Sequence, residues 1–471
     1  MASNRRRERS ERWQVVGVGP HDNQEMLAGG RRQGRCIGEC LSLTAAAFVA
    51  LLAAAPASAQ SRQTYVQFDP FTVKAVLYRP DSGDRPEIGV LLIHRVNNYL
   101  GHLAATELAR RGFLVLTMNS RFDNNEAAVL WEQIALDVKS GVEYLKRQEG
   151  VRSVVLFGHS GGAATLSFYQ AVAEKGIGYC AAPGKLTVCG KELSNLPRAD
   201  ALILVDASLG NPVGLLRSLN PAVVSEGDPK TLDPALDPFS EANGFNPSGP
   251  PSYSPEFRQK YYQAQAARMN RLIASASQQV SKLIEGGGPF PDDNVYLIVR
   301  AQGARLADAD PIAETATVKA RKLLRNNGSI VTEIVRSVRP PGRPTPAANA
   351  YFEGGARLLT LKSFLTANAI RSTHAMTGID WCSSNNSTPC ALGQIGVPLL
   401  VSAMGGNTGL RDNEWLFENA ASRDKDFFVL EGATHNMEPC VECEPRKGAY
   451  NNVIKNFFNY VRDWINGRFS R

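Results

Sequence analysis

Histidine, long apolar runs and net charge are what this 471-residue chain has little of. Six histidines leave few side chains able to accept and return a proton near neutral pH, so acid–base chemistry has few carriers. The apolar stretch at residues 41–55 falls short of the roughly 20 residues needed to span a bilayer. The formal charge of +7 overstates the basic character: residues 1–59 hold eight Lys+Arg against five Asp+Glu, leaving 44 against 40 in the remainder. With no Arg/Lys stripe interleaved with aromatics, that near-balance speaks against a nucleic-acid partner. No internal repeat is visible, and no Cys/His pattern has the full spacing of a zinc site. What remains is 43% hydrophobic and 21% charged, an ordinary globular composition long enough for one large core or two smaller ones.

The first 59 residues read as an address. Arg31, Arg32 and Arg35 lead into the apolar stretch, and Pro56-Ala57-Ser58-Ala59 follows with small residues where a signal peptidase requires them. Cleavage there makes Gln60 the first mature residue; starting at Met26 would give a leader of more usual length. The competing reading is a membrane anchor, which the shortness of the run disfavours. The expectation is an exported protein, periplasmic or secreted, with no stable membrane anchor after cleavage.

Cysteine usage fits that compartment. Cys36 and Cys40 leave with the leader, and the other six fall in local pairs: Cys180 with Cys189, Cys382 with Cys390, and Cys440 with Cys443. Spacing alone does not fix connectivity, and Cys440-Val441-Glu442-Cys443 is also compatible with a redox pair or half of a metal site.

From residue 60 the pattern is a hairpin at 64–68 and 72–78, then short apolar strands alternating with helical segments. Runs at 88–94, 113–118, 154–157 and 201–205 are apolar throughout, as in strands covered on both faces. Trp131, Ile134, Ala135, Val138, Val142 and Leu145 recur at helical spacing. The rhythm implies an α/β fold with a mostly parallel sheet and helices on both faces. It breaks after Asp206 into a loop-rich stretch and a helix with Ser254 as N-cap and Pro255 at its first position. Residues 295–299 and 330–335 read as strands able to pair with each other, and 207–370 is expected to be a large mixed cap. The core, 60–206, then resumes over 371–471 with strands near 397–404 and 427–430 and a terminal amphipathic helix.

The sharpest motif is Gly158-His159-Ser160-Gly161-Gly162, a G-x-S-x-G directly after the strand at 154–157 and before a helical segment. A nucleophile at the tip of a sharp strand-to-helix turn needs an unusual backbone angle and near-bare neighbours two residues away. The helix N-terminus then directs free N–H groups at developing negative charge. On this motif, with the hairpin, the alternating strands, the late insertion and a His after the last strand, the chain resembles the α/β-hydrolase superfamily. Ser at the elbow, rather than Asp, argues for acyl transfer from an ester.

The resemblance implies a base after the last strand, and His435 stands there; His374 has no strand before it, and His159 reads as packing within the elbow. The acid is expected near Asn407, which is not one. Two alternatives remain: Asp206, at the tip of the strand after the nucleophile strand, and Asp412, which also reads as a helix N-cap. Oxyanion donors are expected from the backbone N–H of Gly161 and from the loop after 88–94, at Arg95 or Val96. Arg95 and Arg121, both just past strand ends, could also face one crevice and bind a substrate carboxylate.

The expected activity is therefore cleavage of a carboxylic ester, a small-molecule substrate, with Ser160, His435 and Asp206 as triad and no metal or organic cofactor. An amidase or peptidase on the same triad, and a non-catalytic binding protein on a degenerate hydrolase fold, are the rival expectations. N-terminal sequencing of the exported protein should begin at or near Gln60; an intact Met1 or Met26 terminus in the exported fraction would refute the cleavage.

Overall fold

The structure is a computed structural model that describes residues 62–470 apart from 81–84, 229, 286–292, 307–314, 341, 343 and 351–353. The leader and its cleavage site lie outside the described residues. From the amino end the chain forms β1 (Arg62–Gln67), β2 (Lys74–Arg79), β3 (Ile88–His94), α1 (Leu103–Ala109), β4 (Leu114–Asn119), α2 (Trp131–Lys146), β5 (Ser153–His159), α3 (Gly161–Lys175) and β6 (Ala201–Val205). Next come α4 (Asn211–Ser218), α5 (Pro255–Ile284), β7 (Val295–Ile298), β8 (Arg321–Leu324), β9 (Ile330–Glu333), β10 (Arg357–Thr360) and a single turn, α6 (Leu361–Ser363). The chain closes through α7 (Thr388–Leu392), β11 (Leu399–Met404), α8 (Leu410–Asn419), β12 (Lys425–Leu430) and α9 (Val453–Phe469).

Ten of the strands form one sheet, in the order β1-β2-β4-β3-β5-β6-β11-β12-β8-β9. From β4 to β8 every neighbouring pair is parallel; β1, β2 and β9 add antiparallel edges. The uniform apolarity of the central strands follows from burial on both faces. In β3, Leu91 and Ile93 join the core under α2 and α3, while Val90 and Leu92 join the core under α1 and α9. The expected α/β class, with a mostly parallel sheet and helices on both sides, is what the chain forms.

Between β6 and β11 the pattern was harder to read. Ser254 caps α5 as expected, its hydroxyl accepting from the Phe257 N–H at 3.1 Å, with Pro255 in the first turn. The two strands expected at 295–299 and 330–335 do not pair with each other. β7 pairs with β10, and β9 pairs with β8. β8 in turn lies parallel to β12, so this part of the insertion lengthens the main sheet. The reason lies in the free edge that β12 would otherwise present, whose unpaired N–H and C=O groups β8 satisfies. A second correction concerns α8: its N-cap is Gly409, and Asp412 sits inside the first turn, where it faces the helix dipole and pairs with Arg217 at 3.0 Å.

All three local cysteine pairs are disulfides, with Cα–Cα separations of 5.6, 5.1 and 5.2 Å for Cys180–Cys189, Cys382–Cys390 and Cys440–Cys443. With both thiols of the last pair in a bond, that pair has no thiolate to offer a metal. No helix among the described residues is long and apolar enough to cross a membrane. Non-reducing peptide mapping should recover these three links and no others; free thiols at all six positions would contradict both the pairing and the oxidising compartment it implies.

Candidate active site

Ser160 lies between β5 and α3 with φ 55° and ψ −124°, a left-handed backbone conformation that a side-chain-bearing residue adopts only under constraint. The constraints are visible. The Ser160 N–H donates to the Val205 carbonyl at 3.0 Å, and its own carbonyl accepts from the Ser208 and Ala163 N–H groups at 3.1 and 3.2 Å. The flanking glycines are required by contact: a Cβ on Gly158 would stand 2.7 Å from the Ala163 Cα, and one on Gly162 would stand 2.5 Å from the Ile93 carbonyl oxygen. Strand, turn and helix thus pack too closely for any larger residue at either position.

His435 arrives from the other side of the sheet, on the turn after β12. That turn is held tightly. Gly405 and Gly406, just past β11, donate to the Leu430 and Ala433 carbonyls at 2.8 and 2.7 Å. The Cys440 N–H closes onto the Gly432 carbonyl at 2.8 Å, beside the Cys440–Cys443 disulfide. His435 Nδ1 lies 2.6 Å from Asp206 Oδ2. Asp206 is 4% exposed, and its second oxygen, Oδ1, is buried without a partner. A carboxylate only accepts, so Nδ1 carries the proton and Nε2 presents a lone pair. Burial works against the charged imidazole, but the hydrogen bond to Asp206 and its charge together outweigh burial, so the His435 pKa is raised above its ordinary value.

Asn407, at the position where an acid was sought in the sequence, donates its amide to the same Asp206 oxygen. Of the two carboxylates considered, Asp206 meets His435, while Asp412 is turned to Arg217. Asp206, Asn407 and His435 line one end of a cleft of about 180 Å³, with Ser208, Arg217 and Asp412 along its wall.

On the β3 side, His94 Nδ1 accepts from the Val96 and Asn97 N–H groups at 3.2 and 2.9 Å. Val96, one of the two expected donors, therefore has its N–H engaged by His94. The Arg95 side chain lies over Gly161, where its Nη1 would clash with any Cβ, and its Nε pairs with Glu126 at 3.1 Å. Arg121 does not share this crevice: its guanidinium is taken up by Asp137 of α2 at 2.7 Å, in a pair whose carboxylate side chain is fully buried.

Sequence reasoning missed a chain of imidazoles. The Ala104 N–H donates to His102 Nδ1 at 3.1 Å, so His102 Nε2 carries the proton and donates to His159 Nδ1 at 3.0 Å. His159 Nε2 must then be protonated, and it donates to the backbone carbonyl of His435 at 2.8 Å. Tyr99 supports the relay by donating to the His159 carbonyl at 3.0 Å. Burial holds His102 down to about 4 and, with the neighbouring imidazoles outweighing the charge of Asp206, His159 to about 3; His94 is lowered by burial first and by Arg95 beside it. The available signal was scarcity: four of the five histidines beyond residue 59 lie at the ends of β3 and β5 or in the segments just after β3 and β12.

No protein-family model matches the chain, and no curated protein matches it. Among solved structures it is similar to Est1E from Butyrivibrio proteoclasticus, at 9% identity and TM-score 0.39 over 87% of this chain and 99% of that one. It is also similar to a thermostable carboxyl esterase from Bacillus coagulans, at 13% identity and TM-score 0.38 over 87% and 98%. A third is a soluble variant of monoglyceride lipase from Saccharomyces cerevisiae, at 10% identity and TM-score 0.35 over 87% and 96%. Likeness at this level leaves the reading of the site to its own geometry.

The neutral histidines give a pH signature. Because the folded pKa of His159 is depressed, unfolding takes up a proton between pH 6.5 and about 3, and the stability it allows is full above 6.5 and falls as pH drops. His435 runs oppositely: its raised pKa adds stability below 6.5 that is lost as pH rises through its folded value. In urea unfolding, His159→Gln should be less stable than wild type at pH 7. The gap should then narrow by about 1 kcal/mol per pH unit below 6.5, since the variant lacks this proton uptake. A gap constant down to pH 4 would contradict a buried neutral His159.

Proposed function

We propose that the chain is a serine hydrolase that cleaves carboxylic esters through an acyl-enzyme on Ser160. The observation that carries this reading is the 2.6 Å contact between His435 Nδ1 and a buried Asp206, taken with a serine held at φ 55° on a strand-to-helix turn. Strained backbone, an oriented imidazole and a buried carboxylate are each costly, and nucleophilic catalysis uses all three.

Ser160 Oγ attacks the ester carbonyl carbon as His435 Nε2 takes its proton, and the imidazolium is stabilised by Asp206. The carbonyl oxygen becomes an oxyanion, held by the N–H groups of Gly161 and Arg95. The bond from carbon to the alkoxy oxygen then breaks, and His435 returns the proton to the departing alcohol. Water repeats the sequence: it attacks the acyl carbon, gives a proton to His435, and displaces Ser160 Oγ, which takes that proton back as the acid leaves. No step calls for a metal or organic cofactor. The binding-protein reading drew on the missing acid at Asn407, and it loses that support when Asp206 stands against His435 and Asn407 donates to Asp206. The disulfides fit an exported protein, periplasmic or secreted.

A fluorophosphonate probe should label the wild type and fail to label Ser160→Ala. Asp206→Asn should fold normally and lose up to about four orders of magnitude in turnover. Asp412→Asn should keep its turnover and lose roughly 1–2 kcal/mol of stability, from the helix dipole and the Arg217 pair. Turnover lost in Asp412→Asn and kept in Asp206→Asn would reverse the acid assignment. A panel of matched esters and amides separates an esterase from an amidase; faster amide cleavage would overturn the ester reading while leaving the triad.

A further inference from the structure

Arg357, the first residue of β10, has no place in the scheme above. It is half-buried, and its Nε is sealed from solvent with no hydrogen-bond partner. Among the described residues no carboxylate pairs with it. The charges it feels are those of Glu126 and Arg95, in keeping with β10 lying against the turn at Glu126–Ala128. Glu126 is already engaged, by Arg95 Nε at 3.1 Å and by the Asn211 amide at 2.6 Å. One carboxylate therefore faces two guanidinium groups, that of Arg95 lying over Gly161, the residue after the nucleophile, and one positive charge is left over. Burial lowers the Arg357 pKa first, with Arg95 adding to that and Glu126 opposing it. Leaving a guanidinium desolvated without a counter-charge is costly, and a ligand anion removes the cost.

From this arrangement we infer that Arg357, with Arg95 beside it, binds a carboxylate on the acyl portion of the ester. The inference rests on the serine-hydrolase reading for the word acyl, and on the unpartnered guanidinium for the word carboxylate. The strand order separates the two ends of the substrate. His435, which must protonate the departing alcohol, comes from the β12 side of β5, whereas Arg95 follows β3 on the other side. A group held by the two arginines is thus remote from the leaving oxygen and belongs to the acid that stays on Ser160.

The test compares 4-nitrophenyl hydrogen adipate with 4-nitrophenyl hexanoate, which share a leaving group and acyl length and differ in a terminal carboxylate. A third ester, 4-carboxyphenyl hexanoate, carries the charge on the leaving group. Wild type should favour the adipate ester over the hexanoate by roughly 10- to 100-fold in kcat/KM, mainly through KM. Arg357→Gln should collapse that ratio, Arg357→Lys should keep part of it, and exposed Arg147→Gln should leave it unchanged. The lysine variant also serves if the glutamine variant does not fold. A wild-type ratio near one, a ratio untouched in both Arg357 variants, or a preference for the carboxyphenyl ester would each overturn the proposal. Calorimetry of adipate binding to Ser160→Ala, with and without Arg357→Gln, keeps the two readings apart. Arg357-dependent binding without hydrolysis of any ester would uphold the anion site and sink the hydrolase; hydrolysis with neither binding nor preference would do the reverse.

Discussion

Asp206 and His435 stand 229 residues apart in the chain, and their hydrogen bond spans the end of a strand that belongs to neither. Asp206 follows β6, His435 follows β12, and β11 runs between them. The bond can form only if the end of β11 is nearly bare, and it is: a Cβ on Gly405 would stand 2.7 Å from the Leu430 carbonyl, and one on Gly406 the same distance from that of Ala433. Asn407, the next residue, then reaches back to Asp206 with its amide. An acid at Asn407 would put a second carboxylate against Asp206, and like charges that close would force one to stay protonated. Moving the acid one strand over and keeping a donor in the old place gives one charge, fully oriented.

This explains which parts of the site could be read from sequence. Ser160 is signalled by a local pattern, five residues whose glycines are dictated by packing within the turn and against β3 and the loop after it. His435 is signalled by its order after the last strand. Asp206 was the favoured of two possibilities because its role depends on strand adjacency, which no local pattern encodes; Asp412 stayed an alternative until the start of α8 was fixed at Leu410. The central strands were legible because burial on both faces makes them apolar throughout. The pairing of β7 to β10 and β8 to β12 was not, since short edge strands carry weak patterns and their partners are chosen by which edge is free. The imidazole relay and Arg357 were invisible for the same reason: each is defined by what three separate elements bring, or fail to bring, to one point.

The same cluster also separates four imidazoles by function without changing the residue type. Burial is the largest influence on His94, His102 and His159, with Arg95 and the neighbouring imidazoles adding to it at His94 and the imidazoles at His159, and all three stay neutral. A neutral imidazole with one nitrogen occupied as acceptor is a donor of fixed direction, and two of these form the line that ends on the His435 carbonyl. His435 alone meets a carboxylate, and it alone is raised. Its ring is thus oriented from two sides: through Nδ1 by Asp206, and through its own backbone by His159.

The insertion between β6 and β11 contributes to this site twice, from different ends. β8 covers the outer edge of β12 up to Leu430, and the Glu431 N–H donates to the Leu324 carbonyl at 3.0 Å, four residues before His435. Asn326 adds a backbone N–H to the Glu431 carboxylate at 2.7 Å. The turn that carries the imidazole is therefore braced on one side by β11 and on the other by the insertion, and it has little room to shift relative to Asp206. At its other end the insertion delivers β10, and with it Arg357, to the turn at Glu126–Ala128, whose carboxylate also holds Arg95. A segment that only shielded the site would need to do neither. On the proposed reading, its bracing of the turn that carries His435 and the charge of Arg357 near Glu126 tie the geometry of the reaction and the choice of substrate to the same stretch of chain.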